Sequence, residues 1–265
     1  MKKILTYLIA IAALLVVSVN AKAQDGSSPY LNSTHVYRVT MEDGTNNSAS
    51  WVIANDTGTP LATQPTFTES VVVDTAFLEI TWDDSWASSA TDYKIQFTED
   101  DATCSTVKEI TITIGTNEFD VSTSDPDATC NAADGAINVV GPDTTTSITF
   151  TVDMTTSSSF SPDWKFTFTL ASNSGATFAN VKVGGSAVTA VAGTYTSPDQ
   201  NSTAGEGTVD ITLDVTGGIT STEDMVLSIT SATELSYNSP DKDSNDWGAT
   251  QTINALPATS SITTD

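Results

Sequence analysis

The chain has 265 residues, with 33 acidic side chains against nine basic ones and a formal charge of −24. The few cations are scattered, so the clustered Lys and Arg that nucleic acid or an anionic membrane surface require are missing. Apolar residues make up 38% and arrive in alternating runs with five Trp, six Tyr and nine Phe, which excludes a disordered chain and leaves material for one or two packed domains.

Residues 1–23 carry the pattern of a secretory signal peptide. Lys2 and Lys3 precede an apolar run from Ile4 to Val19, and Ala21-Lys22-Ala23 forms an A-x-A cleavage site before Gln24. The apolar run is short for a membrane span, and no Cys at the predicted cut indicates a lipid anchor. The expectation is an exported chain beginning near Gln24, with no membrane span after cleavage. Cleavage would remove three lysines and no acid. The remaining cations, Arg38, Lys94, Lys108, Lys165, Lys182 and Lys242, would then face 33 acids. This acidity fits solubility and self-repulsion, with divalent-cation binding at a loop as the sharper reading.

Residues 24–32 read as an extended linker. From there the dominant period is two. Shorter strands are predicted at 35–41, 49–53, 77–82, 92–98, 107–114, 119–122 and 136–140. Three longer runs alternate cleanly: Ser147-Ile148-Thr149-Phe150-Thr151-Val152-Asp153-Met154, Trp164 to Leu170, and Val209 to Val215. Each puts large side chains on one face and Thr, Asp or Lys on the other, as a half-buried antiparallel strand requires. Further strands are predicted at 181–183, 225–231 and 250–255, an exposed loop at 197–206, and no amphipathic helix beyond residue 23. Turn signals fall between the runs at Asp43-Gly44, Thr57-Gly58, Asp134-Gly135, Gly184-Gly185 and Gly217-Gly218. The pattern predicts an all-β protein of two tandem antiparallel β-sandwich domains of immunoglobulin-like type after a signal peptide, the first spanning 33–116 and a larger second one 117–265.

Asp-Ala-Thr-Cys occurs twice, at 101–104 and 127–130. In an exported chain with two cysteines, a Cys104–Cys130 disulfide is predicted, worth about 3–4 kcal/mol in the chain-entropy model. Two free thiols are the alternative. A metal site is poorly served, because the single histidine, His35, is remote and no CxxC spacing exists.

The catalytic inventory is thin. No G-x-S-x-G, H-E-x-x-H, P-loop or G-x-G-x-x-G occurs. Asp83-Asp84 offers at most one arm of a glycosidase carboxylate pair, and a solvated turn is the commoner role. Trp82 and Trp86 are candidates for a carbohydrate-binding platform, against the commoner fate of core packing. Asp241-Lys242-Asp243-Ser244-Asn245-Asp246 opens like a calcium loop with oxygen ligands on alternate positions, so Asp241, Asp243, Asn245 and Asp246 are the candidate Ca²⁺ ligands. It departs from the EF-hand in having Asp246 at the turn glycine and Thr252 where a bidentate Glu belongs. A second acidic cluster is Asp125, Asp127 and Asp134.

Several of these segments resemble known proteins. Cys130-Asn131-Ala132-Ala133-Asp134-Gly135-Ala136-Ile137 is similar to the C-N-x-x-D-G-x-I opening of repeats in giant surface adhesins of gliding bacteria. The stretch from His35-Val36-Tyr37-Arg38-Val39-Thr40 through Trp51, Ile80-Thr81-Trp82 and Cys104-Ser105-Thr106-Val107-Lys108 resembles PKD-like immunoglobulin domains of exported proteins in the same bacteria. The tail from Thr250 to Thr259 resembles the ends of their small secreted proteins. The resemblance implies a non-enzymatic component of the cell envelope or surface in a gliding, type IX-secreting setting. It would be structural, adhesive or the partner of an outer-membrane complex. A carbohydrate-binding module with a Trp platform and a Ca²⁺ site is the second reading, and a carboxylate-pair hydrolase ranks last.

Overall fold

The computed structural model describes residues 28–42, 47–83, 86, 92–101, 103–130, 145–173, 175–216 and 222–254. The signal-peptide segment, the turns Asp43-Gly44, Asp134-Gly135 and Gly217-Gly218, the strand predicted at 136–140, most of the Cys130–Ile137 motif and the end of the tail lie outside the described residues. The chain forms two compact units. One comprises the residues up to Glu118 together with Glu234–Pro240, and the other comprises Phe119–Thr233 and the residues from Asp241 onward. The segment 234–240, assigned from sequence to the second domain, thus packs as part of the first unit.

The first unit holds β1 (Thr34–Thr40), β2 (Ser48–Ala54), β3 (Phe67–Val72), β4 (Thr75–Thr81), β5 (Tyr93–Asp100) and β6 (Ser105–Ile112). They form two antiparallel three-stranded sheets, β1-β4-β3 and β2-β5-β6. Alternation sets the inward faces: Trp51 and Ile53 on β2 pair with Phe97 and Ile95 on β5, and meet Leu78 and Ile80 of β4 in one core. Trp51 packs against Phe97 with ring centroids 4.8 Å apart. Before β1, Tyr30 makes a short parallel bridge to Gly115, just past β6. Sheets B-E-D and C-F-G with a rudimentary first strand are the immunoglobulin arrangement.

The second unit contains β7 (Asp120–Thr123), β8 (Thr129–Cys130), β9 (Thr145–Thr155), β10 (Trp164–Ser172), β11 (Thr177–Val183), β12 (Ser186–Ala187), β13 (Tyr195–Thr196), β14 (Glu206–Thr216), β15 (Glu223–Glu234) and β16 (Gly248–Asn254). Two five-stranded sheets result, β12-β11-β14-β9-β7 and β13-β10-β15-β16-β8. The long pair β9 and β14 sets Ile148 opposite Leu213, Phe150 opposite Ile211 and Val152 opposite Val209. All six are buried and share a core with Trp164, Phe166, Phe168, Met225 and Leu227. The outward row of β14 alternates Thr with Asp and that of β9 is mostly Thr, and cross-strand hydroxyls hold two of the acids: Thr151 Oγ1 donates to Asp210 at 2.9 Å and Thr208 Oγ1 to Asp153 at 2.8 Å. A β-branched, wettable residue beside each carboxylate suits a solvated sheet face. The twin turn glycines Gly184 and Gly185 both take positive φ, as the two-residue β11–β12 hairpin requires.

Most of the segment 197–206 is exposed, as expected there, but it is tied along β10. Ser197 is buried, Phe166 N–H donates to its Oγ at 2.9 Å, and Gln200 exchanges two backbone hydrogen bonds with Trp164. The segment therefore extends the edge of β10, and it ends in a turn whose Gly205 has φ +81°. A Cβ there would come within 2.5 Å of the Ser157 carbonyl oxygen. Gly205→Ala should therefore lower stability by about 2 kcal/mol through combined backbone strain and displacement of the 156–159 turn, read in a denaturant melt.

Candidate binding surface

The positions singled out in the sequence are not brought together as a reaction centre. Trp82 and Trp86 are 0% and 6% exposed. Their rings meet edge to face at 5.0 Å, and Trp86 meets Tyr93 at 4.8 Å. A carbohydrate platform needs an open ring face, so these two residues form core and not a platform. The reason is topological. Trp82 directly follows β4 on its inward face, and the chain turns so that Trp86 closes the end of the same core. Asp84 lies outside the described residues. His35, the single histidine, is buried on β1, its Nε2 2.9 Å from Ser33 Oγ.

Cys104 and Cys130 are free and exposed. The predicted bond between them is not formed: Cys104 sits in the β5–β6 turn, and Cys130 ends β8. The carboxylate of Asp101 shapes the turn around Cys104, accepting from Cys104 N at 2.6 Å and from Thr103 N at 2.8 Å. Hydrogen bonds from the Thr103 hydroxyl and from these backbone groups hold the Asp101 pKa below the ordinary carboxylate value.

The 241–246 loop is a tight acidic turn. Asp241 accepts from Val121 N at 2.5 Å through one oxygen, and from Ser244 N at 2.6 Å and Asp243 N at 3.1 Å through the other. Asp243 accepts from Asn245 N at 3.1 Å, and Ser244 and Asp246 take positive φ. The residue that sequence reasoning missed is Asp120, whose carboxylate lies with those of Asp241 and Asp243 inside a 4.8 Å group. Lys242 already pairs with Asp120 at 2.8 Å, which raises the lysine's pKa. Asp246 instead gives its backbone carbonyl to Thr123 N at 2.8 Å. In the other acidic cluster, Asp125 accepts from Thr250 N at 2.7 Å, the Asp127 carbonyl accepts from Gln251 Nε2, and Asp134 is outside the described residues. The turn's own N–H groups and Lys242 use much of the acceptor capacity a cation would need. Its melting temperature should therefore move by less than ~2 °C between EDTA and excess Ca²⁺; a larger rise would demonstrate a bound ion.

A surface with little internal use is β6. It is an edge strand, and its first seven residues are exposed on both faces. Facing outward are Val107 and Glu109, and facing inward are Thr106, Lys108 and Ile110, with Val107 57% and Ile110 40% exposed. Inward-pointing residues of an edge strand stay wet when the opposite sheet does not reach over them, and the opposite sheet here ends at β1. Glu109 is paired with Lys94 at 2.8 Å, and that bond holds the acid's pKa below its usual value. Among the described residues no strand pairs with its outer side, so the edge offers a backbone ladder, two aliphatic side chains and the Lys108 ammonium.

No family profile and no curated protein matches this sequence. Among solved structures, a titin I-band fragment of domains I67–I69 aligns at 8% identity over 88% of this chain, with a TM-score of 0.25, and the chain spans 62% of that fragment's length. A chimeric titin Z1Z2 carrying a decorin peptide aligns at 8% identity over 87% of this chain and 92% of its own, with a TM-score of 0.35. An endo-fucoidan hydrolase of glycoside hydrolase family 107 aligns at 10% identity over 86% of this chain and 27% of its own, with a TM-score of 0.28. Scores this low carry no functional argument, and the class of the protein rests on its own strand order: an all-β chain of sandwiches, antiparallel apart from the short parallel β8–β16 pair, the first of immunoglobulin type.

Proposed function

We propose that this chain is a non-enzymatic exported protein of the cell envelope or cell surface. It would be a structural or adhesive component that engages an envelope protein by strand addition to β6. The observation that carries the reading is the β6 edge, whose first seven residues are exposed on both faces. An unpaired edge of this kind is a template for an incoming extended segment, with main-chain hydrogen bonds giving affinity and alternate side chains giving specificity. The scarcity of catalytic side chains supports the non-enzymatic part, since the single histidine is buried. Export rests on the signal-peptide pattern of residues 1–23. The gliding, type IX-secreting setting rests on the resemblance of the short motifs around Cys130 and His35.

The test is a charged gatekeeper placed on the edge. Ile110→Lys should leave the melting temperature nearly unchanged, because the side chain is already half in water, and should abolish co-purification of the envelope partner seen with the unaltered protein. Equal recovery with both proteins would remove β6 from the interaction.

A further inference from the structure

A different surface of the first unit has its own character. The β3–β4 hairpin closes through two residues, Val73 and Asp74, between the paired Val72 and Thr75. Val71, Val72 and Val73 are 49%, 38% and 68% exposed, three consecutive large apolar side chains at one tip. Val73 has φ +56°. Two-residue hairpins ask for Gly or Asn at such a position, and a β-branched side chain there is a true outlier. The strain is held in place. Val72 is in register with Thr75 and Thr40 with Thr75 on the other side, while buried Met41 donates its N–H to the Asp74 carbonyl at 2.8 Å. A strained apolar residue kept in water by the surrounding structure points to a use at that spot.

The charges near the tip say what can meet it. Glu69 precedes it on β3, Asp74 stands in the turn, and Glu42 lies just past Thr40 with its N–H bonded to Glu99 at 2.9 Å. Arg38, two residues before Thr40 on β1, is the one cation of β1, β3 and β4. An anionic bilayer would repel this rim, and so would a second copy of a chain carrying −24. We propose that the Val71–Val73 tip is a preformed docking finger for a protein partner, one whose surface offers an aliphatic pocket rimmed by Lys and Arg. Apolar anchors carry affinity, and a complementary rim supplies orientation and on-rate. The proposal is independent of the β6 edge.

The experiment uses the full chain in its own cells, with a photo-crosslinking benzoylphenylalanine at position 72 and mass-spectrometric mapping of the crosslinked peptide. The expected product is a peptide of another protein that combines aliphatic residues with neighbouring Lys or Arg. Its yield should fall about 10-fold with Val73→Asp and at high salt, and stay unchanged with Ile110→Lys. Crosslinks only to lipid, to glycan, to a second copy or to no partner would overturn it. So would a partner peptide lacking basic residues. A separate measurement tests the strain: Val73→Gly should raise the melting temperature while lowering crosslink yield, and a lowered melting temperature would overturn the argument.

Discussion

Glu234→Ala should cost the first unit about 3–4 kcal/mol, seen as the loss of roughly 15–25 °C from its melting transition. Glu234 closes β15, is fully buried, and its two oxygens accept from Ser236 N at 2.7 Å, Tyr237 N at 2.9 and 3.1 Å and Ser239 N at 2.9 Å. Removing the side chain strands the buried Tyr237 and Ser239 N–H donors and returns the exposed Ser236 N–H to water, and each stranded donor costs about 1–3 kcal/mol. Part of that is offset, because burial makes the charged carboxylate itself unfavourable and raises its pKa. Glu234→Gln keeps one accepting oxygen and sets an amide against a donor, so its loss should be about half as large. Equal melts for Glu234→Ala and the unaltered protein would mean that the segment 234–240 is held by its other contacts alone.

Acid should weaken the same region through His35. Its ring stacks on Tyr237 at 4.3 Å, and the Thr34 N–H donates to the Tyr237 carbonyl at 2.7 Å. Tyr237 also meets Tyr30 edge to face at 6.2 Å. Burial lowers the His35 pKa from 6.5 to about 4. The fold therefore prefers the neutral ring. The stabilisation is complete above pH ~6.5 and is lost as pH falls through about 4, amounting to about 3 kcal/mol in full. Glu234 acts in the opposite sense: its raised pKa means that protonation relieves a burial cost, adding some stability as pH falls. Tyr30, whose pKa is pushed up first by burial and then by Glu234, stays neutral throughout. A His35→Phe variant keeps the ring stack and removes the titration. Its stability between pH 6.5 and 4 should be flat or rising where the unaltered protein declines, measured by denaturant midpoints across that range. Parallel curves would show that the charge on His35 does not matter.

The readable parts of the sequence were those where one face is dry. β9, β10 and β14 could be written down from alternation alone, because each inward position faces a packed partner. β3 could not: Phe67-Thr68-Glu69-Ser70-Val71-Val72 lies on an edge with five of its six residues exposed, so nothing selects an alternating pattern. β6 was legible as a strand, but not as one wet on both faces, since that depends on how far the opposite sheet extends. The indole pair Trp82 and Trp86 carried an ambiguous signal that only the sandwich resolves. Asp241 and Asp243 stood out by spacing, whereas Asp120 joins them from 121 residues away along the chain and left no local trace. Glu234 was invisible for a related reason. A single Glu at the end of a Thr- and Ser-rich strand looks like any solvated acid until the turn folds its N–H groups back onto it.

The first unit is not contiguous along the chain, and this orders events in time. Synthesis proceeds from the N-terminus at about 5–20 residues per second, so on the order of ten seconds separate the appearance of Glu118 from that of Pro240. Throughout that interval Tyr30, Ser33 and His35 lack the Tyr237 ring and the loop that cover them. The first half to be made is thus among the last to be finished. Whatever escorts this chain while it is being made meets an immunoglobulin sandwich whose Tyr30 and His35 still lack the Tyr237 ring.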